Sequence, residues 1–173
     1  MGRLAAYKVD LKGLTEGSAH YDWVVDGDFF AALDVEDIQN GNLRVAMDVE
    51  KESGMYILDF SLRGNVIVPC DRCLDDMTLD IETSGSLKVR LGEDFADDGE
   101  VVVVPEEDGT INVAWYVYEF ISLAVPLKHV HLPGMCNKVM AEKLDALSVD
   151  GEETGDGGTD PRWAGLENLN LED

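Results

Sequence analysis

The sequence contains few basic residues. Lysine and arginine account for 13 of 173 residues, against 36 aspartates and glutamates, so the formal net charge is −23 at pH 7. A protein that binds a phosphate backbone unaided normally presents a basic face, because counterion release provides much of the affinity. Here the bases are scattered singly along the chain. The charge disfavours direct binding of RNA or DNA and leaves two interpretations: attraction to a basic protein, or a surface that only maintains solubility.

Long apolar segments are also missing. No run approaches the roughly 20 apolar residues that cross a bilayer, and the first residues lack the apolar core of a secretory signal. Three cysteines are an odd number and do not indicate a disulfide framework. We therefore expect a cytoplasmic protein with no membrane contact. The hydrophobic content of 45% indicates a folded core.

Familiar catalytic motifs are absent from the sequence as well. It has no glycine-rich phosphate loop, no dinucleotide-binding fingerprint, no nucleophile elbow and no His-Glu-x-x-His pair. Carboxylates are so numerous that no particular pair stands out as a general acid and base. The sequence therefore predicts no active site, and we expect a protein that is not an enzyme.

Alternating apolar residues predict β-structure through much of the chain. Residues 43–49 and 56–62 alternate on either side of Ser53-Gly54, which indicates an antiparallel hairpin. The glycine within residues 63–65 predicts a break or bulge after the second strand. Residues 77–81 alternate again, beyond the first two cysteines.

Helical spacing occurs in three places. Residues 27–39 predict a short helix that ends at Asn40-Gly41, and residues 113–124 predict a helix that ends before Pro126. Residues 139–147 predict a short amphipathic helix. The expected fold class is α+β: an antiparallel, β-rich domain with helices mainly in the C-terminal half.

Composition divides the chain into three parts. Residues 1–149 are predicted to form a single α+β domain, and residues 150–159 an acidic, glycine-rich flexible linker. Residues 160–173 are predicted to form a C-terminal helical motif with an apolar stripe. That motif either packs on its own domain or docks a partner. Its candidate partner-binding residues are Pro161, Arg162, Trp163, Leu166 and Leu169.

All three cysteines and two of the three histidines fall in two short stretches. Cys70 and Cys73 form a Cys-x-x-Cys pair between two β-like runs, and Arg72 between them is placed to stabilise thiolates. A structural zinc ion takes four thiolate or imidazole ligands. The candidate metal ligands are therefore Cys70, Cys73, His131 and Cys136, with His129 competing for the histidine position.

Two other interpretations of the Cys-x-x-Cys pair remain open. A redox dithiol normally lies at the start of a helix, where the helix dipole lowers the thiol pKa. The residues after Cys73 predict a turn and a strand instead. The remaining interpretation is that Cys70 and Cys73 are small apolar side chains packed in the core.

Three separated motifs occur in an order that resembles one bacterial family. They are VPCDRCLDDM at residues 68–77, NVAWYVYEFISLAVPLKHVH at 112–131 and DPRWAGLENL at 160–169. They are similar to motifs of the YceD-like proteins, the large ribosomal RNA subunit accumulation proteins, and the N-terminal part looks like Bacteroidetes-type members. The resemblance implies a non-enzymatic role in the accumulation or processing of large-subunit (23S) rRNA, and hence in ribosome assembly.

The resemblance and the charge together shape the expected function. Many members of the family carry a second Cys-x-x-Cys, whereas Cys136 stands alone here, so zinc remains a candidate cofactor only. The net charge favours action through a basic ribosomal protein or assembly factor. The alternatives are a small zinc-binding or redox protein that uses Cys70 and Cys73, and a direct RNA-binding module. The basic patch considered for that module consists of Lys88, Arg90, Lys128 and Lys138.

Overall fold

The computed structural model describes residues 3–14 and 17–148. A 3-10 helix at Arg3–Tyr7 precedes eight strands and three helices. The strands are β1 (Lys8–Asp10), β2 (Ser18–Val25), β3 (Asn40–Glu52), β4 (Met55–Pro69), β5 (Asp76–Gly92), β6 (Ala96–Asp97), β7 (Val101–Pro105) and β8 (Thr110–Asn112). The helices are α1 (Gly27–Leu33), α2 (Ala114–Ala124) and α3 (Lys138–Leu147).

Six of the strands form one sheet in the order β2-β3-β4-β5-β7-β6, and β1 pairs with β8 in a separate ribbon. Neighbours in the sheet are antiparallel except for β5 and β7, which are parallel. The predicted hairpin is confirmed: β3 and β4 join at Ser53 and Gly54, whose positive φ angles of 49° and 86° suit a tight two-residue turn. The predicted α+β class is likewise confirmed.

The break predicted at residues 63–65 is wrong, because β4 continues through them. Gly64 pairs with Leu43 on one side and with Ile81 on the other. A Cβ atom at Gly64 would lie 2.1 Å from the carbonyl oxygen of Asn42. The glycine therefore permits a close approach of two strands and does not end one.

The first helix is shorter than the sequence predicts. α1 begins after Asp26, whose carboxylate accepts hydrogen bonds from the backbone N–H groups of Asp28 and Phe29. It ends at Asp34, which has a left-handed φ of 58°. Asn40 and its neighbour begin β3 instead of ending the helix. The intervening connection places Ile38 in the core.

The core lies on one face of the sheet, under α2. The even-numbered residues of β4 from Tyr56 to Leu62 are buried, as are Val117 and Ile121 of α2. Phe120 packs across Gly85 of β5, where a Cβ atom would lie 2.2 Å from the ring. The ring of Phe120 also lies 5.2 Å from that of Phe60. This packing fixes α2 against β5.

Helix α2 ends at Ala124, before Pro126, as predicted. No helix among the described residues is both long and apolar enough to cross a membrane. The predicted linker at 150–159 and the motif at 160–173 lie outside the described residues. The three-part division of the chain stays a prediction.

The exposed face of the sheet carries one histidine among carboxylates. His20 Nδ1 lies 2.6 Å from a carboxylate oxygen of Asp48, and its Nε2 lies 2.9 Å from Asp22. Asp48 also pairs across the ladder with Asp59, a like charge. The hydrogen bonds to Asp48 and Asp22 raise the pKa of His20 above its ordinary value of about 6.5.

We predict that His20→Gln destabilises the protein at about pH 6 and has no effect at about pH 9. Because folding raises the pKa of His20, its stabilising effect is fully present below the unfolded value. The effect is lost as the pH rises through the folded value. Urea denaturation midpoints at the two pH values measure the difference, with Ser61→Ala on the same face as the control. An equal loss at both pH values would contradict the assignment.

Candidate metal centre

The first arm of the site is the turn between β4 and β5. Cys70 donates its backbone N–H to Asp75 O at 2.9 Å and accepts at its own carbonyl from Leu74 N at 2.9 Å. Leu74 has a left-handed φ of 63°, which closes the turn. The backbone N–H of Arg72 points at the Cys70 sulfur, 3.4 Å away. Cys70 and Cys73 are both buried, at 0% and 2% exposure, and the turn aims both sulfurs to one side.

The second arm is the irregular segment between α2 and α3. It begins where Pro126 stops α2, and it turns at Gly134, whose φ is 82°. Met135 N donates to Leu132 O at 2.9 Å within that turn. Asn137 then caps α3 by accepting hydrogen bonds from two backbone N–H groups. This path carries His131 and Cys136 towards the first arm.

The two arms bring four candidate ligands together. The side-chain ligand atoms of one histidine and three cysteines all lie within 4.8 Å of one another: Cys70, Cys73, His131 and Cys136. Cys73 Sγ lies 3.4 Å from Nδ1 of His131. Tetrahedral zinc with ordinary Zn–S and Zn–N bonds separates a sulfur from a nitrogen by about 3.6 Å. The donor set and the Cys73–His131 distance therefore suit a structural metal site.

His129 lies outside this group and joins the arms in another way. Its backbone N–H donates to the Asp71 carboxylate at 2.7 Å, and its carbonyl accepts from Asp71 N at 3.0 Å. Its imidazole Nδ1 lies 3.0 Å from Pro126 O, and its Nε2 lies 3.5 Å from Asp71. Both ring nitrogens thus face oxygen atoms away from the sulfurs. The structure places His131, and not His129, among the candidate ligands.

The electrostatics of the cluster favour an anionic sulfur at Cys70. Burial raises the pKa of Cys70, but backbone N–H groups of Cys73, His131 and Arg72 point at the sulfur and bring the pKa down to about 6. Hydrogen bonds to Cys70 and Cys73 raise the pKa of His131. Burial, together with hydrogen bonds to Cys73 and Cys70, raises the pKa of Cys136 to about 11. A metal that binds all four groups would displace the remaining protons.

Polar contacts at the rim connect α3 to the first arm. The Arg72 guanidinium donates to Asp145 at 3.3 Å, and the side-chain amide of Asn137 donates to Asp75 at 3.2 Å. Arg72 therefore supports Cys70 through its backbone N–H, while its side chain reaches α3. Sequence reasoning missed Asp71 and Asp75. Their position inside and beside the Cys-x-x-Cys pair was the available signal.

The remaining predicted site residues are not brought to this centre. The candidate partner-binding residues of the tail lie outside the described residues: Pro161, Arg162, Trp163, Leu166 and Leu169. The considered basic patch does not assemble. Lys88 and Arg90 pair with Ile57 and Met55, at the opposite end of β5 from the cysteine turn.

The fold and the site define an acidic α+β protein with a Cys3His group that could hold a metal ion. The family described as large ribosomal RNA subunit accumulation protein YceD matches residues 58–170, which include both arms. Because this match covers more than half of the chain, the protein belongs to that family, and the resemblance seen in the motifs is confirmed. The Bacteroidetes-type assignment stays a prediction.

One curated relative extends the comparison beyond the family match. The chain is 26% identical over 164 residues to the uncharacterized protein YlbN of Bacillus subtilis (strain 168), and the alignment covers 94% of each chain. No solved structure matches the chain. The similarity to YlbN therefore extends over nearly the whole length of both chains.

We predict that Asp71→Ala loosens the second arm without unfolding the sheet. The substitution removes the carboxylate that accepts the His129 N–H, and a hydrogen bond of this kind contributes about 1 kcal/mol. Hydrogen exchange of the amides at residues 127–136 should accelerate, while the amides of β3 and β4 keep their protection. Asp76→Ala, which changes a neighbouring exposed carboxylate, is the matched control. Equal exchange in the two variants would contradict the role given to Asp71.

Proposed function

We propose that this protein is a non-enzymatic cytoplasmic factor for the accumulation of large-subunit (23S) rRNA, acting in ribosome assembly through a basic protein partner. The family match over residues 58–170 is the observation that carries the proposal. The sequence contains no recognised catalytic motif, which supports a role in binding over one in catalysis. The partner class is a ribosomal protein or an assembly factor.

The distribution of charge supports a protein partner. Residues 93–108 contain eight carboxylates and no base, and all eight carboxylate residues are exposed. We call this surface, formed by residues 93–100 and 106–108 around β6 and β7, the acidic edge. Phe95 lies within it at 63% exposure. An acidic surface with an exposed aromatic ring suits a basic protein, which offers both cations and apolar side chains.

Direct RNA binding receives less support. A phosphate backbone would be repelled by the acidic edge. The four bases considered for RNA contact are also separated: Lys88 and Arg90 pair with the start of β4, whereas Lys128 and Lys138 lie beside Arg72 of the cysteine turn. A redox role is also less favoured. Cys73 is followed by a turn and by β5, so the dithiol lacks the helix that activates thioredoxin-like thiols.

Zinc is the metal that we propose for the Cys3His group, in a structural role. Three thiolates and one imidazole form a donor set that zinc accepts in closed tetrahedral sites. The ion would join the β4–β5 turn to the segment before α3. None of the residues 126–148 is buried, so this segment contributes little to the apolar core. Ligation would supply the stability that the segment lacks in apolar packing.

We predict that deleting the gene lowers the ratio of large-subunit to small-subunit rRNA, and that the acidic edge is needed to restore it. The test variant is Glu93→Gln/Asp94→Asn/Glu100→Gln. A matched control removes the same charge from the sheet face: Glu50→Gln/Asp59→Asn/Asp80→Asn. The control should restore the ratio, and the test variant should not. Unchanged rRNA in the deletion strain would overturn the proposed function.

The same two variants test the partner class in vitro. Immobilised protein is exposed to large-subunit proteins freed of rRNA, at low and at moderate salt. The wild type and the control should retain a basic protein, and the test variant about tenfold less, because several screened charge pairs are lost together. An equal loss of retained basic protein in both variants would show that net charge, and not the acidic edge, is responsible. Retention of naked rRNA by the wild type would favour the RNA-binding alternative.

We predict about one zinc ion per chain in protein purified without chelator. Cys73→Ser should abolish zinc binding, because it removes a buried thiolate ligand, and His131→Gln should weaken it by at least about tenfold in chelator competition. His129→Gln should leave the metal content unchanged. Native mass spectrometry measures all three variants. A zinc-free wild type with the stability of the Cys73→Ser variant would show that the cysteines are only packed side chains.

A further inference from the structure

Helix α3 has no buried residue, although its sequence is amphipathic. Val139 and Leu147 are 63% and 81% exposed, and Leu144 is also exposed. Two polar contacts, from Arg72 and from Asn137, hold the helix to the first arm. A helix of ten residues is marginal in water without packing on an apolar face. Much of the apolar side of α3 is therefore left uncovered by the described residues.

The exposed apolar surface extends beyond α3. Among the described residues, seven of the twelve exposed large apolar side chains fall between residues 127 and 147. We call them the lobe surface; they are Leu127, Val130, Leu132, Met135, Val139, Leu144 and Leu147. An exposed apolar surface that is concentrated in this way commonly marks a contact with another segment or molecule.

The lobe surface differs in charge from the rest of the protein. Residues 127–148 contain three lysines and two carboxylates, whereas the whole chain has a net charge of −23. Arg72 adds a further cation next to Lys128, Val130 and Leu144. A basic partner would therefore face the least acidic part of the chain. A second copy would bring two strongly negative molecules together.

The chain that follows α3 has the complementary properties. Residues 149–173 contain eight carboxylates and one arginine. Within them, Trp163, Leu166 and Leu169 recur in the sequence at a spacing that predicts an apolar stripe on a helix. The apolar stripe could pack against the apolar lobe surface, and the carboxylates carry the charge opposite to that of the nearby lysines.

The connecting length is also suitable. Eleven residues separate Ser148 from Asp160. A glycine-rich chain of eleven residues spans about 18 Å on average, and a ten-residue helix such as α3 is about 15 Å long. The C-terminal motif can therefore return along α3 without extending its connection.

We propose that residues 160–173 dock on the lobe surface of the same chain, with the Trp163, Leu166 and Leu169 stripe against the apolar side of α3. This docking covers Leu144 and Leu147 and places the acidic C-terminal segment beside the lysines of the lobe. The sequence leaves two hypotheses for this motif, packing on its own domain or docking a partner, and this proposal chooses the first. The motif would then brace the second arm of the metal centre through α3.

Hydrogen exchange of the full-length chain tests the docking. Trp163→Ser/Leu166→Ser should accelerate exchange of the α3 amides by at least about tenfold, because the helix loses its apolar partner. Gly165→Ser/Asn168→Ser changes the same segment away from the stripe and should leave α3 unchanged. Amides of β3 and β4 should be unaffected in both variants, which shows that the sheet remains folded. Unchanged α3 exchange in the stripe variant would overturn the docking.

A reciprocal variant and two further outcomes complete the test. With fluorinated tryptophan, Leu144→Ser/Leu147→Ser should shift the resonance of Trp163 towards its solvent-exposed position, and an unmoved resonance would overturn the proposal. Protection of α3 that rises with protein concentration would assign the lobe surface to a second copy. Protection that appears only after the addition of basic large-subunit proteins would assign it to a partner. Either of these results rejects intramolecular docking.

Discussion

The unbroken pairing of β4 with β3 and β5 is the constraint on which the other features depend. Every residue of β4 from Met55 to Pro69 has a partner on β5, and alternate residues enter the core. A slip of one residue would turn that whole apolar set to solvent, so the register is firmly fixed. Because Cys70 directly follows β4, the same register fixes the position of the candidate metal centre relative to α2.

The distribution of charge divides the surface of the protein into two regions with different properties. Carboxylates without any base occupy residues 93–108, at the β6–β7 edge of the sheet. Lysines and exposed apolar residues concentrate in residues 127–148, at the metal centre. The two surfaces therefore suit different contacts: the first a basic partner, the second an acidic apolar segment. A net charge of −23 alone conceals this separation.

The sequence predicted correctly those features that depend on interactions between residues close together in the chain. The hairpin at Ser53 and Gly54 followed from alternation and turn chemistry, and both act over a few residues. Gly64 was misinterpreted because a glycine signals either a turn or a close approach of two chains, and the approaching Asn42 lies on another strand. The extent of α1 was overestimated because the left-handed Asp34 interrupts a pattern that otherwise continues.

The candidate metal centre shows the same limit at the level of single side chains. Spacing was enough to single out the cysteines and to associate them with the downstream stretch. It did not separate His129 from His131, which lie two residues apart with the same chemistry. In the structure Asp71 binds the backbone of His129 across 58 residues of sequence and lies 3.5 Å from its Nε2, whereas His131 joins the cysteines. Which of the two histidines faces the cysteines depends on how the two arms pack together. A single sequence does not give that packing directly.

The second arm and α3 are held by polar contacts and, as proposed, by metal ligation, whereas the sheet depends on apolar burial. Residues 126–148 bury no side chain, while β3, β4 and α2 supply much of the core. Two parts of one chain that are held by different forces open at different free energies. If the Cys3His group holds a metal as proposed, its loss would release residues 126–148 and leave the sheet, with its acidic edge, folded. In the proposed arrangement, the surface assigned to a basic partner does not depend on the segment assigned to the metal, so the two can be changed independently.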